Sequence, residues 1–437
     1  MGCAKNLVDA EIMLGSAKAE GFEVTADPAE ADLLIVNTCG FIDSAKQESI
    51  DAILEANRQR NEGTRPDAKI VVSGCLSQRF STDLASELPE VDAFIGLDQV
   101  AEAGTIFRRV MNEDKTSALN LVTPKSRYIP DFATPRFRLT PNHSVYVKIA
   151  EGCNHPCSFC VIPQMRGRHR SRSLDSVVRE IRSLVAEGVK EINLISQDTT
   201  YYGMDLWSEK AGPRQPVDSG RGTSLVHLLD EIADIGGDFW VRLLYTHPAH
   251  WSDELIAAIA RNPHVAKYVD MPLQHIHGEM LQLMRRETSR EHIENLIHRI
   301  RAGIPGIGLR TTFIVGFPGE TEEDFVRTLE VSAEADFAST YTFIFSPRDG
   351  TEAATMTEHF VEPSVIADRF DRLRVVVERS ALLRHEARVG RTEEIVVEGP
   401  NRKREGHFTG RTRQNKLVHF ASHEPLRPGT YGTVEIT

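Results

Sequence analysis

The stretch Glu-Gly-Cys-Asn-His-Pro-Cys-Ser-Phe-Cys, running from Glu151 to Cys160, constrains this chain more than any other. It sets three thiols, Cys153, Cys157 and Cys160, at CxxxCxxC spacing. Three thiolates can hold three corners of a cubane iron–sulfur cluster, whose fourth iron then lacks a protein ligand and is open to a small molecule. A structural zinc site is the other chemistry for such thiols. Zinc favours four protein ligands with a second pair further on. No such pair follows here, although His155 or His169 could complete a zinc site. Disulfides fit poorly, since the other cysteines lie far away in sequence and nothing points to an oxidising compartment.

Those other cysteines are Cys3, Cys39 and Cys75, equally spaced at 36 residues. Cys39 ends the run Asp-Leu-Leu-Ile-Val-Asn-Thr-Cys, and Cys75 ends Lys-Ile-Val-Val-Ser-Gly-Cys. Short apolar runs rich in β-branched residues read as buried parallel strands. Helical patterns follow over residues 44–60 and 77–88, and Cys3 leads into another at 6–14. A β-α alternation of this kind predicts an open parallel sheet, with ligands bound beyond the carboxyl ends of its strands. Cys39 and Cys75 fall at two such ends. Cys3 would mark a third if a strand preceded it, but only Met1 and Gly2 do. A start set too late, or a trimmed chain, would leave that sheet one strand short. A lone free cysteine is usually a small buried hydrophobe. Three at equivalent strand ends favour a second three-thiolate cluster.

The rest of the chain divides on composition. Residues 1–110 form the α/β domain, and 111–140 a proline-containing link without periodicity. Over 141–362 six strand-like runs alternate with helical ones, at 144–150, 191–196, 240–245, 265–271, 309–316 and 341–345. Six β/α units are short of the eight of a closed barrel, so a partial barrel is predicted. Polar or glycine-rich segments follow each run, on the face where barrels place their chemistry. They include Gln197, His247, Gln274, His275 and the Gly316–Gly319 turn. Arg242 lies inside a strand, where a charge needs a partner. A bound carboxylate and a barrel Asp or Glu are both open readings for it. A charged helix over 363–389 leads to a small antiparallel β-barrel at 390–437, with a basic patch at Arg402, Lys403, Arg404, Arg411, Arg413 and Lys416. Barrels of this size grip RNA or proteins, and a solubilising cluster is the plainer alternative.

Composition excludes several classes. The 437 residues, 41% hydrophobic and 26% charged, are ordinary for a water-soluble protein. No run approaches the roughly 20 apolar residues of a membrane span. No signal segment opens the chain, so the cytoplasm is the expected location. A net charge of −12 opposes broad non-specific nucleic-acid binding.

The CxxxCxxC stretch, with aromatic Phe159 before its last thiol, resembles the signature of the radical SAM superfamily. The whole chain resembles the methylthiotransferase family within it. Gly2-Cys-Ala-Lys-Asn-Leu-Val-Asp-Ala-Glu11, Gly40-Phe-Ile, Ile195-Ser-Gln-Asp-Thr199 and Tyr202-Gly203 look most like the branch acting on a ribosomal protein. The tRNA-modifying branch typically has Gln-Met-Asn where Ala4-Lys-Asn6 stands, and Ala4 replaces the usual proline. The resemblance implies a TRAM-like terminal barrel and two 4Fe–4S clusters. The Cys153/Cys157/Cys160 cluster would bind and reductively cleave S-adenosylmethionine. The Cys3/Cys39/Cys75 cluster would carry the sulfur to be inserted. Phe159, Gln197, Arg242 and Gln274 are the expected cofactor contacts. The implied reaction puts a methylthio group on the β-carbon of an aspartate of small-subunit ribosomal protein S-twelve. Alternatives are a tRNA methylthiotransferase acting on isopentenyl-adenosine, with nucleic acid held by the terminal barrel, and a non-catalytic zinc-stabilised binding protein.

Overall fold

The computed structural model describes residues 2–113 and 117–437. Residues 114–116 of the expected link thus lie outside the described residues. The chain divides into two compact units: residues 1–139, 150–154 and 160–172 form one, and residues 140–149, 155–159 and 173–437 the other.

In the first unit, helix α1 (Ala4–Ala19) begins directly after Cys3, its N-cap residue. It is followed by β1 (Leu33–Thr38), α2 (Asp43–Glu62), β2 (Lys69–Gly74), α3 (Cys75–Glu87), β3 (Ala93–Phe94), α4 (Ala103–Asn112) and β4 (Leu119–Asn120). The four strands form one parallel sheet in sequence order, with β1 at an edge. Ile70, Val71 and Val72 are buried without residue, as a strand covered on both faces requires. Ile53, Leu76, Val91 and Phe94 close the core around it. The link beyond β4 forms no regular element up to Leu139 but is anchored. The Phe137 amide donates to the Glu11 carbonyl (2.9 Å) and the Leu139 amide to Glu11 Oε1 (2.7 Å). Asp98 accepts from the amides of Arg127 (2.8 Å) and Tyr128 (2.9 Å).

Strand β5 (Ser144–Lys148) belongs to the second unit. The chain then re-enters the first unit for β6 (Ala150–Glu151), α5 (Ile162–Arg166) and β7 (Arg170–Ser171), β6 and β7 pairing antiparallel. The second unit resumes with α6 (Leu174–Ala186), β8 (Glu191–Ile195), α7 (Leu225–Ala233), β9 (Trp240–Leu243), α8 (Asp253–Arg261) and β10 (Val265–Asp270). Then come α9 (Gly278–Leu283), α10 (Arg290–Gly303), β11 (Gly308–Val315), α11 (Glu322–Glu334), β12 (Ser339–Ile344) and α12 (Pro363–Glu386). The six parallel strands stand in the order β12-β11-β10-β9-β8-β5, the open six-unit arrangement read from the sequence. β8 is buried at every position.

The C-terminal strands are β13 (Thr392–Pro400), β14 (His407–Thr412), β15 (Leu417–Ala421) and β16 (Tyr431–Glu435). The small antiparallel barrel read from the sequence is a four-stranded antiparallel sheet curled into a half-barrel, with β15 and β16 at its two edges. A register shift between Val397 and Gly399 bends β13, as a bulge does. This sheet lies against the amino ends of the barrel strands. Tyr431 Oη donates to the carbonyl of Lys190, just before β8 (2.8 Å). Arg413 donates to Pro263, before β10 (3.0 Å), and Lys416 to Ala338, before β12. The sheet therefore closes the floor of the barrel, at the end away from the strand carboxyl termini.

Candidate functional site

In the first unit, β1 and β2 run parallel with Thr38 opposite Gly74. The residues that follow, Cys39 and Cys75, are therefore neighbours across one strand spacing of about 4.8 Å. Gly74 has φ +98°, and a Cβ there would meet the Thr38 carbonyl at 2.3 Å, so only glycine allows the strands to end this way. Ser49 holds Cys39 by accepting its amide proton (2.9 Å) and donating to its carbonyl (3.0 Å). Cys3 is brought to the same place by the first turn of α1. Asn6 Nδ2 donates to the Thr38 carbonyl (3.2 Å), and Asn37 Nδ2 to the Asn6 carbonyl (2.8 Å). The thiols of Cys39 and Cys75 each interact electrostatically with Cys3, and with one another.

A buried cation serves this cluster. Arg166, at the end of α5, places Nη2 3.3 Å from Cys75 Sγ. Its guanidinium also meets Asp9 (3.0 Å) and Glu151 (3.0 Å). Val161 and Met165 complete an apolar wall beside Cys75. Burial pushes the Cys75 thiol up to about 11, with Arg166 opposing. Burial likewise raises Cys39. Cys3 is exposed at the surface, and although partial burial of its thiol opposes it, the charges of Lys5 and Arg166 lower it. Three converging thiols with an adjacent cation and an apolar wall suit an anionic three-thiolate cluster.

The CxxxCxxC loop is clamped at its feet. Gly152 has φ +83°, and a Cβ there would meet the Arg168 carbonyl at 2.2 Å. The Cys153 amide donates to Gly167 (3.1 Å). Within the second unit, the Ser158 amide donates to Met284 (3.1 Å) and its hydroxyl to Leu283 (2.7 Å). Arg286 Nη1 stands 3.5 Å from Cys157 Sγ, and its Nη2 donates to Pro272 (2.8 Å). Phe159 is buried, edge-on to Phe317 with centroids 6.2 Å apart, and its carbonyl accepts from Arg348 (2.6 Å). Three thiols at CxxxCxxC spacing, Cys157 beside a guanidinium, suit a second cubane with an open iron.

The expected cofactor contacts divide. Gln197 directly follows β8. Gln274 lies beyond β10 with φ +75°, a backbone strain of the kind found at ligand sites. Its amide donates to Thr312 (2.8 Å), which fixes it beside β11. Arg242 takes the second of its two readings. Its Nε donates to Glu191 (2.7 Å) and its Nη1 to the Arg413 carbonyl (3.0 Å), at the barrel floor, so it is committed to pairing there and not to a cofactor carboxylate. Of the basic patch, Arg411 pairs with Glu398 and Arg413 with Glu394, which leaves the 402–404 loop to carry the positive surface. Glu320, after β11, accepts from the amides of Gly316 (2.6 Å) and Phe317 (3.3 Å). Burial lifts its carboxyl to about 7 against the pull of Arg369.

Sequence reasoning missed Arg166, Arg286 and a histidine cluster. The run of arginines at 166, 168, 170 and 172 was a visible signal for the first. In the cluster, His155 is doubly bonded by Asp198 (2.7 Å) and Glu287 (2.7 Å). Burial would discharge the ring, but the two carboxylates hold it protonated up to about 10. Burial lowers the neighbouring His247 and His250.

The comparisons with known proteins agree with this geometry. The profile of Uncharacterized protein family UPF0004 matches residues 1–96, and that of the Radical SAM superfamily residues 147–331. The ribosomal protein uS12 methylthiotransferase RimO of Opitutus terrae is 55% identical over 405 residues, covering 92% of this chain and 86% of that protein. That of Akkermansia muciniphila is 51% identical, covering 92% and 88%. That of Pelotomaculum thermopropionicum is 42% identical, covering 100% and 95%. The chain belongs to the RimO family of radical SAM methylthiotransferases. As a RimO-family member it is an enzyme whose cofactors are S-adenosylmethionine and iron–sulfur clusters. Among solved structures, the radical SAM methyltransferase TsrM of Kitasatospora setae, with cobalamin and a [4Fe-4S] cluster bound, shares the fold. It matches at TM-score 0.55 and 18% identity, covering 81% of this chain and 74% of that one.

Proposed function

We propose that this enzyme places a methylthio group on the β-carbon of an aspartate of ribosomal protein uS12. The observation that carries the reading is the presence of two separate three-cysteine sets, one at strand ends in the first unit and one on the clamped loop. The clusters and S-adenosylmethionine supply radical generation, sulfur and methyl. The chain's own residues do the rest. Cys153, Cys157 and Cys160 ligate one cluster, and Cys3, Cys39 and Cys75 the other. Arg166 and Arg286 offset thiolate charge at Cys75 and Cys157. Phe159, Gln197 and Gln274 border the cofactor, and the apolar wall of Val161 and Met165 keeps water from the sulfur site. The net charge of −12 suits a cationic protein partner better than a polyanion.

The test separates the two sets. Cys153→Ala should abolish S-adenosylmethionine cleavage. Cys39→Ala should keep cleavage but stop sulfur transfer to uS12, with iron falling from about eight to about four per chain. Loss of all cleavage in a folded Cys39→Ala protein would refute this division of labour. Tight, steeply salt-dependent binding of bulk tRNA would favour an RNA substrate instead.

A further inference from the structure

In the second unit, β12 stands at one end of the six-stranded sheet. Asp270, the last residue of β10, lies opposite Arg310 of β11, and Thr312 and Ile314 lie opposite Tyr341 and Phe343 of β12. Side chains alternate across a sheet, so Asp270, Arg310, Tyr341 and Phe343 share one face. It is the inner face of the barrel. Tyr268, two residues before Asp270, packs with the Arg242 guanidinium (5.4 Å), which the terminal sheet holds at the floor. The outward residues of β11, Leu309, Thr311, Phe313 and Val315, are at most 2% exposed. The inner face is open by comparison, with Tyr341 and Phe343 51% and 49% exposed. Arg310 is the polar centre of this opening. Its guanidinium lies over the Tyr341 ring at 4.6 Å, and Nη2 donates to Asp270. Burial alone would lower its pKa, but Asp270, Tyr268 and Tyr341 outweigh it and keep the charge. A guanidinium carries five N–H donors in a rigid fork. Here Nε is buried without a hydrogen-bond partner, and so is Asp270 Oδ1. An unmet buried donor beside an unmet acceptor is costly until a ligand completes them. The pair also borders an expected cofactor contact, since the Gln274 amide donates to Thr312, two residues beyond Arg310.

We propose that Arg310 binds the side-chain carboxylate of the substrate aspartate and so determines specificity for it. The inference deepens the methylthiotransferase reading and rests on it. A guanidinium grips a carboxylate through two parallel bonds, which fix the plane of the group as well as its charge. The reaction needs that constraint, because the carbon to be modified is the one that bears this carboxylate. Clamping the carboxylate limits rotation about the β-carbon and presents its hydrogens in one direction. The Tyr341 ring pre-organises the guanidinium by covering one of its faces. Asp270 takes Nη2 and leaves Nε. Its Oδ1 is free to accept an N–H of the substrate backbone. Phe343, with its ring centroid 6.4 Å from that of Tyr341, continues an apolar surface for the chain on either side of the aspartate. The base of isopentenyl-adenosine carries no acid group, so Arg310 favours a protein substrate.

The test uses the full chain with its clusters reconstituted and purified uS12, whose target aspartate is located by mass spectrometry after reaction with the parent enzyme. Binding of uS12 is then measured by calorimetry with S-adenosylmethionine present and no reductant. Arg310→Gln should weaken uS12 at least ten-fold, and asparagine in place of the target aspartate should weaken it equally against the parent enzyme. Against Arg310→Gln, the aspartate and asparagine forms of uS12 should bind within about two-fold of each other, the signature of a direct pair in a double-mutant cycle. Independent losses that simply add would overturn the proposal, while methylthiolation of uS12 by the parent would leave the reading beneath it standing. No methylthiolation by the parent would overturn both. Weakened S-adenosylmethionine with uS12 affinity kept would overturn the proposal and place the guanidinium on the cofactor carboxylate. Should Arg310→Gln fail to fold, Arg310→Lys keeps a charge beside Asp270 but not the fork. It should still lose the preference for aspartate over asparagine, and a preference kept in full would overturn the proposal.

Discussion

Replacing Arg166 by methionine should unfold the first unit before it touches the second. The guanidinium is 1% exposed and bonds two carboxylates, Asp9 and Glu151, themselves 4% and 5% exposed. At an effective dielectric of about 20, each contact near 4 Å is worth about 4 kcal/mol before desolvation. Methionine fills similar space but takes the guanidinium from two buried carboxylates, and breaking a buried pair from one side costs about 3–5 kcal/mol. Tryptophan fluorescence would miss this, because all three tryptophans, Trp207, Trp240 and Trp251, lie in the second unit. Amide hydrogen exchange read peptide by peptide is the right assay. Protected amides of α1 and β2 should exchange about 10²- to 10³-fold faster or more, at 1.4 kcal/mol per factor of ten. Those of β8 and β9 should be unchanged. Exchange in α1 and β2 within about five-fold of the parent protein would refute the view that Arg166 holds these carboxylates in place.

Gly104→Ala should destabilise the first unit by about 1–3 kcal/mol despite alanine's better helix propensity, because the new Cβ would meet the Ser16 carbonyl at 2.3 Å; urea unfolding followed by far-ultraviolet circular dichroism checks it. Arg242→Met should lower the melting temperature of the second unit, since it strands the buried Glu191 carboxylate, while S-adenosylmethionine binding to the folded protein is kept. Burial raises the Glu320 carboxyl from 4.5 to about 7 in the folded chain. A folded state that binds its proton more tightly loses stability as pH rises from about 4.5 to 7. Glu320→Gln should flatten that part of the stability–pH curve of the second unit, and a slope unchanged by the substitution would contradict the assignment.

Much of this architecture is legible in the sequence because its signals are local. β1 and β2 are unbroken β-branched runs, and the six barrel strands each precede a polar or glycine-rich segment. The cysteine sets are legible through spacing alone. What escapes has partners far along the chain. Arg166 meets Asp9 across 157 residues, and neither position has any local pattern that names the other. Arg242 has two chemically equal readings until Glu191 and the Arg413 carbonyl are placed beside it. The histidine cluster draws on segments after β8 and β9 and before α10, where each histidine alone reads as structural. The terminal sheet is legible for the same local reason as the strands before it: four short alternating strands separated by glycines and prolines announce a small curled antiparallel sheet, and only the shift at Gly399 and the pairing order needed the structure.

The sheet across the floor of the barrel also governs when this enzyme can come into being. β16 and the β14–β15 turn, which brace the starts of β8, β10 and β12, are translated after every barrel strand. The first unit's β1 to β4 are made early and can mature while synthesis continues. The barrel cannot: Lys190, Pro263 and Ala338 wait for Tyr431, Arg413 and Lys416. A nascent chain in which that sheet is not yet made would present an unfloored barrel with exposed strand starts, a natural target for proteolysis. Quality control is thereby written into the order of the chain, since the cofactor-bearing barrel becomes sound only once β13 to β16, which follow it, have been translated.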